Sequence, residues 1–292
     1  MRPAMAEKET SKSWTQAEAE HRGGIVRQID NAIYDQAGDI WWDENSPLSI
    51  LNTSLNPARF PYFRDALVHL FDGSPSGKLA LDVGCGGGLL AEEIARLGCR
   101  VTGIDPSANS LATARTHATG AGLAIDYQQG AGEALPFEPG SFDIVFCCDV
   151  LEHVSSVAAV VGEIARVLKP GGVFLYDTIN RTLTSKVAVI KLPQEWLKLA
   201  PPNFHLWEMF IRPSELVAAL DGNGLDSRET VGLRPRGNPL RLLWAMRRVK
   251  AGTMSYGELG RRAQWSRSKS LAISYMGYAI KRPTDAQAHR NS

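Results

Sequence analysis

Three glycines, Gly84, Gly86 and Gly88, alternate along a short stretch that directly follows an apolar run of strand length, 79–83. A segment in which apolar residues recur at helical spacing comes next, so the order is typical of a strand, a tight turn and a helix. Glycine lets the backbone approach a bound ligand closely, and the first N–H groups of the following helix stay free to bind that ligand. The pattern predicts a site for a nucleotide-like cofactor.

A carboxylate, Asp105, ends the β-branched stretch that follows this helix. At the carboxyl end of a neighbouring strand, such an acid can accept hydrogen bonds from both hydroxyls of a ribose. The alternative is that Asp105 is a helix N-cap leading into Ser107. Dinucleotide sites have the pattern G-x-G-x-x-G, and Leu89 stands here at the position of the third glycine. The G-x-G-x-G spacing of this chain therefore favours S-adenosylmethionine over NAD.

Segments of strand and helix character alternate after the glycine turn. Strands are predicted near 79–83, 100–104, 124–128, 142–147 and 172–177. The alternation indicates an α/β fold with a doubly wound, Rossmann-like parallel sheet. In such sheets the cofactor lies at the carboxyl ends of the strands, where the glycine turn and Asp105 are expected to meet.

The chain is predicted to consist of five segments. They are a disordered tail (1–13), a helical N-terminal extension or lid (14–77), a cofactor-binding core (78–178), a cap insertion with a core strand (179–233) and a basic segment with a closing strand (234–292).

Two features of the added segments allow alternative interpretations. Trp41 and Trp42 in the extension are either core packing, which is favoured because large aromatics are heavily buried, or a lid over the substrate. In the cap, an amphipathic piece broken by Pro193 leads to His205 and Trp207. This piece is either a cover over the acceptor pocket or a surface helix.

The overall composition is that of a globular enzyme. With 292 residues, 44% of them hydrophobic, and a formal net charge of +1, the chain can form one α/β domain with additions, and nothing indicates nucleic acid. Cys85, Cys99, Cys147 and Cys148 lie in or near apolar strands or in the glycine turn, which fits a reducing cytoplasm. No stretch approaches the roughly 20 apolar residues that cross a bilayer, and no secretion signal is expected.

Further motifs extend the pattern on both sides of the core. They are Ile40-Trp41-Trp42-Asp43, Leu55-Asn56-Pro57-Ala58-Arg59, Gly130-Ala131-Gly132-Glu133, Val150-Leu151-Glu152-His153, Leu168-Lys169-Pro170-Gly171-Gly172, Asn180-Arg181-Thr182, Phe210-Ile211-Arg212-Pro213, Gly237-Asn238-Pro239-Leu240 and Ser274-Tyr275-Met276. With them, the chain resembles the class I S-adenosylmethionine-dependent methyltransferases and, within that class, the ubiquinone-biosynthesis O-methyltransferases. The resemblance implies methyl transfer to a catechol or phenol hydroxyl, with a polyprenylated quinone precursor as the acceptor.

The resemblance also implies which residues bind the cofactor. They are Arg59, Asp82, Gly84, Gly86, Asp105, Pro106, Gly132, Glu133 and Cys148. Arg59 matches an arginine that reaches the cofactor carboxylate, with a surface ion pair as the alternative, and Cys148 is expected beneath the transferred methyl. Ala131 stands where many relatives have an acid for the adenine amino group, so the Gly132-Glu133 backbone or the Glu133 side chain is expected to bind adenine.

Asp149, Glu152 and His153 follow the fourth predicted strand, and their spacing i, i+3, i+4 places them on one side of a helical turn. The resemblance associates them with a divalent cation, Mg or Mn, although Asp149 replaces a longer Glu. In one mechanism, the cation is held by all three residues and binds both catechol oxygens. In the other, His153 is the general base and Glu152 orients it. A structural interpretation is that Glu152 caps the next helix and His153 packs beneath the cofactor.

A basic section spans 234–269, where ten basic residues stand against a single acid, Glu258. Leu240, Leu243 and Trp244 can share a helix face within it. The default interpretation is a solvated surface. Our hypothesis is peripheral contact of a cytoplasmic protein with anionic lipid headgroups, to which each basic residue contributes roughly 1 kcal/mol. An acidic partner protein or a phosphorylated substrate would use the same charges.

Other functions stay open at this point. An NAD-dependent oxidoreductase shares the strand, the turn and the acid, and a non-catalytic subunit would keep the cofactor pocket for assembly with other enzymes. Because the basic section departs from the shorter closing region of the quinone enzymes, a secondary-metabolite phenol is an alternative acceptor. The sequence predicts no particular oligomeric state.

Overall fold

The computed structural model describes residues 32–35 and 40–283, so the predicted tail, 1–13, and the first part of the predicted extension lie outside the described residues. Within the described part, eight strands form one sheet. The strands are β1 (Leu79–Val83), β2 (Arg100–Asp105), β3 (Ile125–Gln129), β4 (Phe142–Cys148), β5 (Leu168–Ile179), β6 (Leu225–Pro235), β7 (Trp265–Ser268) and β8 (Ser274–Lys281).

Seven α-helices of eight residues or more lie in the same described part. They are α1 (Asn56–Leu70), α2 (Leu89–Arg96), α3 (Ala108–Gly120), α4 (Val157–Val167), α5 (Pro213–Gly222), α6 (Pro239–Lys250) and α7 (Tyr256–Ala263). Shorter 3-10 turns span Ala32–Asp35, Leu151–His153 and Trp207–Met209, and a π-helical turn, Leu51–Leu55, precedes α1. None of the helices in the described residues is long and apolar enough to cross a membrane.

The sheet has the strand order β3-β2-β1-β4-β5-β8-β6-β7, and its first five members are parallel neighbours. The predicted α/β, doubly wound Rossmann-like fold is thereby confirmed. β8 and β6 continue the sheet in antiparallel pairings, which make it mixed. The strand order reverses between β1 and β4, the place where sheets of this kind bind ligands at the carboxyl ends of their strands.

Helices bury both faces of the sheet, which explains the nearly continuous apolar sequence of the central strands. On one face, Phe63 of α1 and Ile94 of α2 are fully buried. On the other face, Val160 and Ile164 of α4 are buried against the sheet together with Leu216 of α5. Each such side chain contributes about 1.5–3 kcal/mol by leaving water.

The cap, 183–209, leaves the core after β5 and returns before α5. Its longest element is a π-type helix, Lys186–Trp196, which continues through Pro193. The sequence analysis was wrong to expect a break there, because the wider turns accommodate a ring that collides with the preceding turn of a regular α-helix. Ala245 and Met246 of α6 pack against Leu199, so the cap and the basic helix support each other.

Candidate functional site

A cavity of about 300 Å³ opens where β1 and β4 end, at the reversal of strand order. Its wall includes most of the residues that the sequence predicts for cofactor binding: Arg59, Asp82, Gly84, Asp105, Pro106, Gly132, Glu133 and Cys148. Its volume is that of a small-molecule site. The wall also carries His153 and Asp149, so the predicted cofactor residues and two of the predicted catalytic residues share one cavity.

The glycine turn follows β1 in backbone conformations that favour glycine. Gly84 has φ +70°, and a Cβ on it would come within 2.3 Å of the Val150 side chain. Gly86 has φ +50°, and there a Cβ would meet the indole of Trp41 at 2.4 Å. Gly86 is thus covered by Trp41 and does not line the cavity as predicted, whereas Gly84 does.

Asp105 holds the two loops that flank the cavity. Its Oδ2 accepts the N–H of Gly86 at 2.9 Å, and its Oδ1 accepts the N–H of Ser107 at 2.9 Å. Asp105 is not the cap of α3, because that role belongs to Ser107, whose Oγ accepts the N–H of Ser110. A carboxylate has roughly four acceptor positions, so both oxygens keep capacity for ribose hydroxyls.

Asp82 is the buried acid of β1, with 2% of its surface exposed. Among the residues that the structure describes, its Oδ2 has no hydrogen-bond partner, although Asp82 lines the cavity. Burial raises the pKa of Asp82 to about 7, and the Arg59 guanidinium limits that rise. A buried carboxylate oxygen without a donor is costly, and a ligand ammonium would relieve this cost.

Part of the N-terminal segment closes one side of the cavity. The carbonyl of Tyr34 accepts the hydroxyls of Ser107 and Ser110 at 2.9 and 2.8 Å. Trp41 donates its indole N–H to Ser110 at 3.0 Å, and its ring stacks on that of Tyr34 at 5.5 Å between centroids. Trp41 is only 8% exposed, which confirms core packing; it also lines the cavity, and its role as a lid over the substrate stays a prediction.

Trp42 fixes the same segment to the glycine turn from the outside. Its indole N–H donates to the carbonyl of Gly87 at 3.0 Å. The ring lies flat on His117 with 3.4 Å between centroids, and His117 in turn contacts the buried Glu92 at 2.6 Å. The stack holds the turn from outside the cavity.

The three predicted metal ligands do not converge. Asp149 has φ +57°, and its carboxylate forms a 2.5 Å ion pair with Nη1 of Arg59. The same Arg59 nitrogen binds Asp177, which also accepts the backbone N–H of Asp149 at 2.8 Å. Arg59 is 3% exposed, so the alternative of a surface ion pair is wrong. The left-handed backbone directs Asp149 toward Arg59 rather than toward Glu152 and His153.

Glu152 is the middle residue of the 3-10 turn and is buried, with 2% of its surface exposed. Its Oε2 accepts the hydroxyl of Thr178 at 2.8 Å, and its Oε1 has no partner. Burial, assisted by the charge of Asp149, raises the pKa of Glu152. The interpretation of Glu152 as a helix cap is wrong, because Ser156 caps α4 by accepting the N–H of Ala159.

His153 is surrounded by aromatic rings that belong to the N-terminal extension and the cap. The ring centroids of Tyr34, Phe204 and His205 lie 6.0, 6.1 and 5.2 Å from that of His153. Its Nδ1 is buried and has no hydrogen-bond partner within 32–35 and 40–283. Burial lowers the pKa of His153 to about 4, against an opposing effect of Asp149, so the imidazole is neutral near pH 7 and is a weaker base than an exposed histidine.

Some residues of the site were missed or underrated by the sequence analysis. Asp177 is an acid inside the apolar β5 run, a signal that could have been noticed. His205 was assigned to the cap without a chemical role, and the structure brings a ligand atom of His205 within 4.8 Å of those of Glu152 and His153. No sequence pattern marked Tyr34 as a site residue, because only the fold shows that it lines the cavity.

Comparison with known proteins agrees with this site. A profile of a methyltransferase domain matches residues 81–176. A ubiquinone biosynthesis O-methyltransferase from Methylobacterium nodulans is 36% identical over 236 residues, which are 79% of this chain and 94% of that protein. One from Methylocella silvestris is 40% identical over 215 residues, 70% of this chain and 84% of that protein.

The similarity of this chain to solved structures concerns the fold alone. Magnesium protoporphyrin IX methyltransferase from Synechocystis PCC 6803, with bound S-adenosylhomocysteine, has a TM-score of 0.51 at 18% identity, covering 76% of this chain and 83% of that one. The assignment to a family rests on the sequence identities with the two ubiquinone biosynthesis enzymes. Because those identities extend over most of each relative, the chain is an enzyme and belongs to the ubiquinone biosynthesis O-methyltransferases, a family that takes its methyl group from S-adenosylmethionine.

Proposed function

We propose that this enzyme transfers the methyl group of S-adenosylmethionine to a catechol or phenol hydroxyl of a polyprenylated quinone precursor. The names of its relatives support the quinone pathway. The observation that carries the chemistry is the position of the His153 imidazole at the wall of the cofactor cavity, among aromatic rings, with an Nδ1 to which no described residue is hydrogen-bonded. The interpretations as an NAD oxidoreductase or a non-catalytic subunit are wrong, given the family.

The cavity fits the donor by its own residues. Bound S-adenosylmethionine supplies an electrophilic methyl group on a sulfonium sulfur. The unpartnered Oδ2 of Asp82 accepts from its ammonium, and the carboxylate of Asp105 accepts from its ribose hydroxyls. Cys148, buried beneath the cavity, adds an apolar floor below the methyl. These roles follow from the chemistry of each side chain and its place in the wall.

The acceptor requires deprotonation, because a phenol with a pKa near 10 is a poor nucleophile while protonated. His153 takes this proton on Nδ1, which no protein group occupies. Tyr34 and Phe204 exclude water from the region around His153 and offer flat faces to an aromatic acceptor. Desolvation and alignment of the acceptor oxygen with the methyl carbon supply the remaining acceleration.

A divalent cation is the second candidate mechanism, with a different ligand set from the predicted one. The unpartnered Oε1 of Glu152 and Nδ1 of His153 are atoms that a cation would satisfy. Such a cation would supply a Lewis acid beside the acceptor oxygens. In that case His153 binds the cation instead of taking the proton itself. Methyl transfer that is lost in EDTA and restored by added Mn²⁺ supports the cation; full activity in EDTA contradicts it.

The experiment for the acceptor uses purified protein, S-adenosylmethionine and two acceptors, a farnesylated catechol and the same catechol without its tail. Mass spectrometry is expected to find the methyl ether and an equal amount of S-adenosylhomocysteine. The farnesylated acceptor should have a kcat/KM at least about tenfold higher, since this requires only about 1.4 kcal/mol from apolar burial. Preference for the bare phenol would favour the secondary-metabolite alternative.

We also propose that the acceptor is taken from an anionic membrane surface. Large apolar side chains are exposed on the cap, at Leu183 and Trp196, and on α6, at Leu240 and Trp244. α6 carries exposed basic residues in its last turn and packs on the cap through the Leu199 cluster. An amphipathic surface with apolar anchors and basic surroundings is typical of proteins that lie on a membrane.

Co-sedimentation with liposomes tests this surface. The wild-type protein should bind vesicles that contain phosphatidylserine more strongly than neutral vesicles. The double variant Leu240→Glu/Trp244→Glu should lose this binding, whereas Val68→Glu, a partly exposed apolar residue on α1, should retain it. Equal binding to anionic and neutral vesicles contradicts the headgroup contact and leaves the basic section as a solvated surface.

A further inference from the structure

A buried carboxylate that does not line the cofactor cavity lies directly behind the glycine turn. Glu92 stands in the first turn of α2 and is fully buried. Its Oε1 contacts Nδ1 of His117 at 2.6 Å, and its Oε2 accepts a hydrogen bond from Arg96 at 2.8 Å. A buried charge is costly unless its oxygens are paired, so Glu92 holds the imidazole of His117 in one position.

His117 in turn supports the ring of Trp42. The two rings lie 3.4 Å apart between centroids, with an angle of 6° between their planes. His117 belongs to the last turn of α3, and Glu92 belongs to α2, so both residues are part of the core. Trp42, which comes from the N-terminal extension, therefore packs on a surface whose position the core determines.

Trp42 binds a single peptide group of the glycine turn. Its indole N–H donates to the carbonyl of Gly87 at 3.0 Å. The N–H of the same peptide, on Gly88, donates to the carbonyl of Cys85 at 2.9 Å. Glycine opposes rotation of a peptide plane less than any other residue, and here glycines stand on both sides of the plane. The hydrogen bonds at its two ends therefore fix this peptide, and Trp42 supplies one of them.

Gly87 is also enclosed from the side of the cavity. A Cβ on Gly87 would lie 2.3 Å from the Trp41 side chain, which lines the cavity. The consecutive residues Trp41 and Trp42 thus contact Gly87 from two sides, the first by packing and the second by a hydrogen bond.

The orientation of this peptide affects the cavity wall. Cys85, whose carbonyl binds Gly88, lines the cavity, and so do Leu89 and Leu90, the first residues of α2. The start of a helix that follows a glycine turn is where a nucleotide-like cofactor binds. A rotation of the peptide between Gly87 and Gly88 would displace the wall on both sides of it.

We propose that Trp42, His117 and Glu92 are positioning residues for the methyl donor, and that they set the donor affinity through Gly87 without contacting the donor. This inference rests on the assignment of the cavity to S-adenosylmethionine in the proposed function. Coupling of this kind is reciprocal, so donor binding stabilises the contact of Trp42 with the turn by the same free energy. The acceptor side of the cavity is not involved.

Calorimetric titration with S-adenosylhomocysteine tests the donor affinity. Trp42→Phe keeps an aromatic ring on His117 but removes the N–H donor, and it should weaken binding about three- to tenfold, the usual effect of one hydrogen bond. His117→Ala removes the support of the Trp42 ring and should weaken binding at least about tenfold. Trp265→Phe, at a partly buried tryptophan on the edge strand β7, is the matched control and should bind like wild type.

Steady-state kinetics distinguish positioning of the donor from general damage. In Trp42→Phe and His117→Ala, KM for S-adenosylmethionine should rise by the same factors as the calorimetric Kd. At saturating donor, kcat with the farnesylated catechol should stay within about twofold of wild type, because no interaction with the acceptor is removed. A fall in kcat with an unchanged KM for the donor would overturn the inference.

Hydrogen exchange covers the possibility that a variant folds poorly. Peptides 40–46 and 84–90 should exchange faster in His117→Ala than in wild type, whereas peptides of β5 should exchange equally in both. S-adenosylhomocysteine should slow exchange in 40–46 of wild type, and it should do so less in Trp42→Phe. Exchange that accelerates throughout the sheet, or donor that leaves 40–46 unaffected in wild type, would overturn the inference.

The outcomes separate this inference from the proposed function. Folded variants that bind S-adenosylhomocysteine as tightly as wild type would overturn the positioning role and leave the function standing. Weaker donor binding in both variants of a protein that methylates no catechol would retain the positioning role and overturn the proposed acceptor. Wild-type protein that binds neither S-adenosylmethionine nor S-adenosylhomocysteine would overturn both.

Discussion

Arg59 of α1 and Asp149 of the loop after β4 form a partly buried ion pair, with 2.5 Å between Nη1 and Oδ2. Arg59 also binds Asp177 near the end of β5. Its Nε–H donates a hydrogen bond to the side-chain oxygen of Asn56 at 2.8 Å. One guanidinium thus connects a helix, a loop and a strand directly beside the cofactor cavity. It also balances two acids whose carboxylates would otherwise repel each other.

Replacing Arg59 by methionine should destabilise the protein by about 3–5 kcal/mol, because it leaves the buried Asp177 and the partly buried Asp149 without a counter-ion. The measurement is urea-induced unfolding at pH 7.5. Arg64→Met on the same helix is the control, since that side chain is 48% exposed and pairs only with the exposed Asp65. It should change stability by less than about 0.5 kcal/mol. Equal unfolding midpoints for the two variants would contradict the role of this ion pair.

Asp82→Asn should raise the free energy of unfolding of the protein without bound cofactor, and it should weaken binding of the methyl donor. Burial raises the pKa of Asp82 from 3.8 to about 7, so the folded state prefers the protonated acid, and stability is lost as pH rises toward and through 7. The amide does not titrate, so the variant should be more stable than wild type at pH 8, by up to about 4 kcal/mol at roughly 1.4 kcal/mol per pKa unit.

The stability advantage of Asp82→Asn should shrink between pH 8 and pH 5, where wild-type Asp82 becomes protonated. Urea unfolding at both pH values measures it. Calorimetry with S-adenosylhomocysteine at pH 8 should show at least about tenfold weaker binding, because the ammonium loses a charged acceptor. A variant that is destabilised equally at both pH values, with unchanged affinity, would refute the assignment.

Gly84→Ala should abolish measurable donor binding. Gly84 has φ +70°, and its new methyl would collide with Val150 in the cavity wall. Gly122→Ala is a closely matched control, with φ +68° and nothing within 4 Å of the added carbon. Both variants carry the left-handed strain of about 1–2 kcal/mol, and only Gly84→Ala adds the clash. If both lost the donor equally, backbone strain and not the shape of the turn would be responsible.

His153→Gln should lower kcat by about 10²–10⁴, since it removes the group that takes the proton or binds the cation. Its affinity for S-adenosylhomocysteine should stay within error of wild type, because His153 contacts the acceptor side of the cavity. Steady-state kinetics with the farnesylated catechol measure kcat, and calorimetry measures the affinity for S-adenosylhomocysteine. A kcat within a few-fold of wild type would remove His153 from the chemistry.

The sequence predicted the parts of the site that are local in the chain. The five parallel strands, the glycine turn and Asp105 are recognisable because strand periodicity, glycine spacing and a carboxylate at a strand end all occur within short windows. Asp149, Glu152 and His153 were also found in one window, but their spacing implied a regular helical turn. The chain instead forms a 3-10 turn preceded by a left-handed residue, Asp149, and this changes which side chains point the same way.

Contacts between residues that are far apart in the sequence could not be predicted from local sequence patterns. His205 is far from His153 in the chain and meets it only because the cap folds back over the carboxyl ends of the strands. Likewise, Arg59 was expected to bind the cofactor carboxylate, and its pairing with Asp149 and Asp177 depends on the packing of α1 against the sheet. Each of these contacts is decided by tertiary geometry, which carries no local pattern in the sequence.

The central claim is that the cavity between the glycine turn and Asp105 binds the methyl donor. It is tested most directly by calorimetric titration of the purified protein with S-adenosylhomocysteine, alongside Asp105→Asn. We predict saturable heat with one site per chain, and at least about tenfold weaker binding in the variant, where an amide nitrogen replaces one acceptor oxygen. Well-folded wild-type protein that releases no heat with either S-adenosylhomocysteine or S-adenosylmethionine would contradict the account.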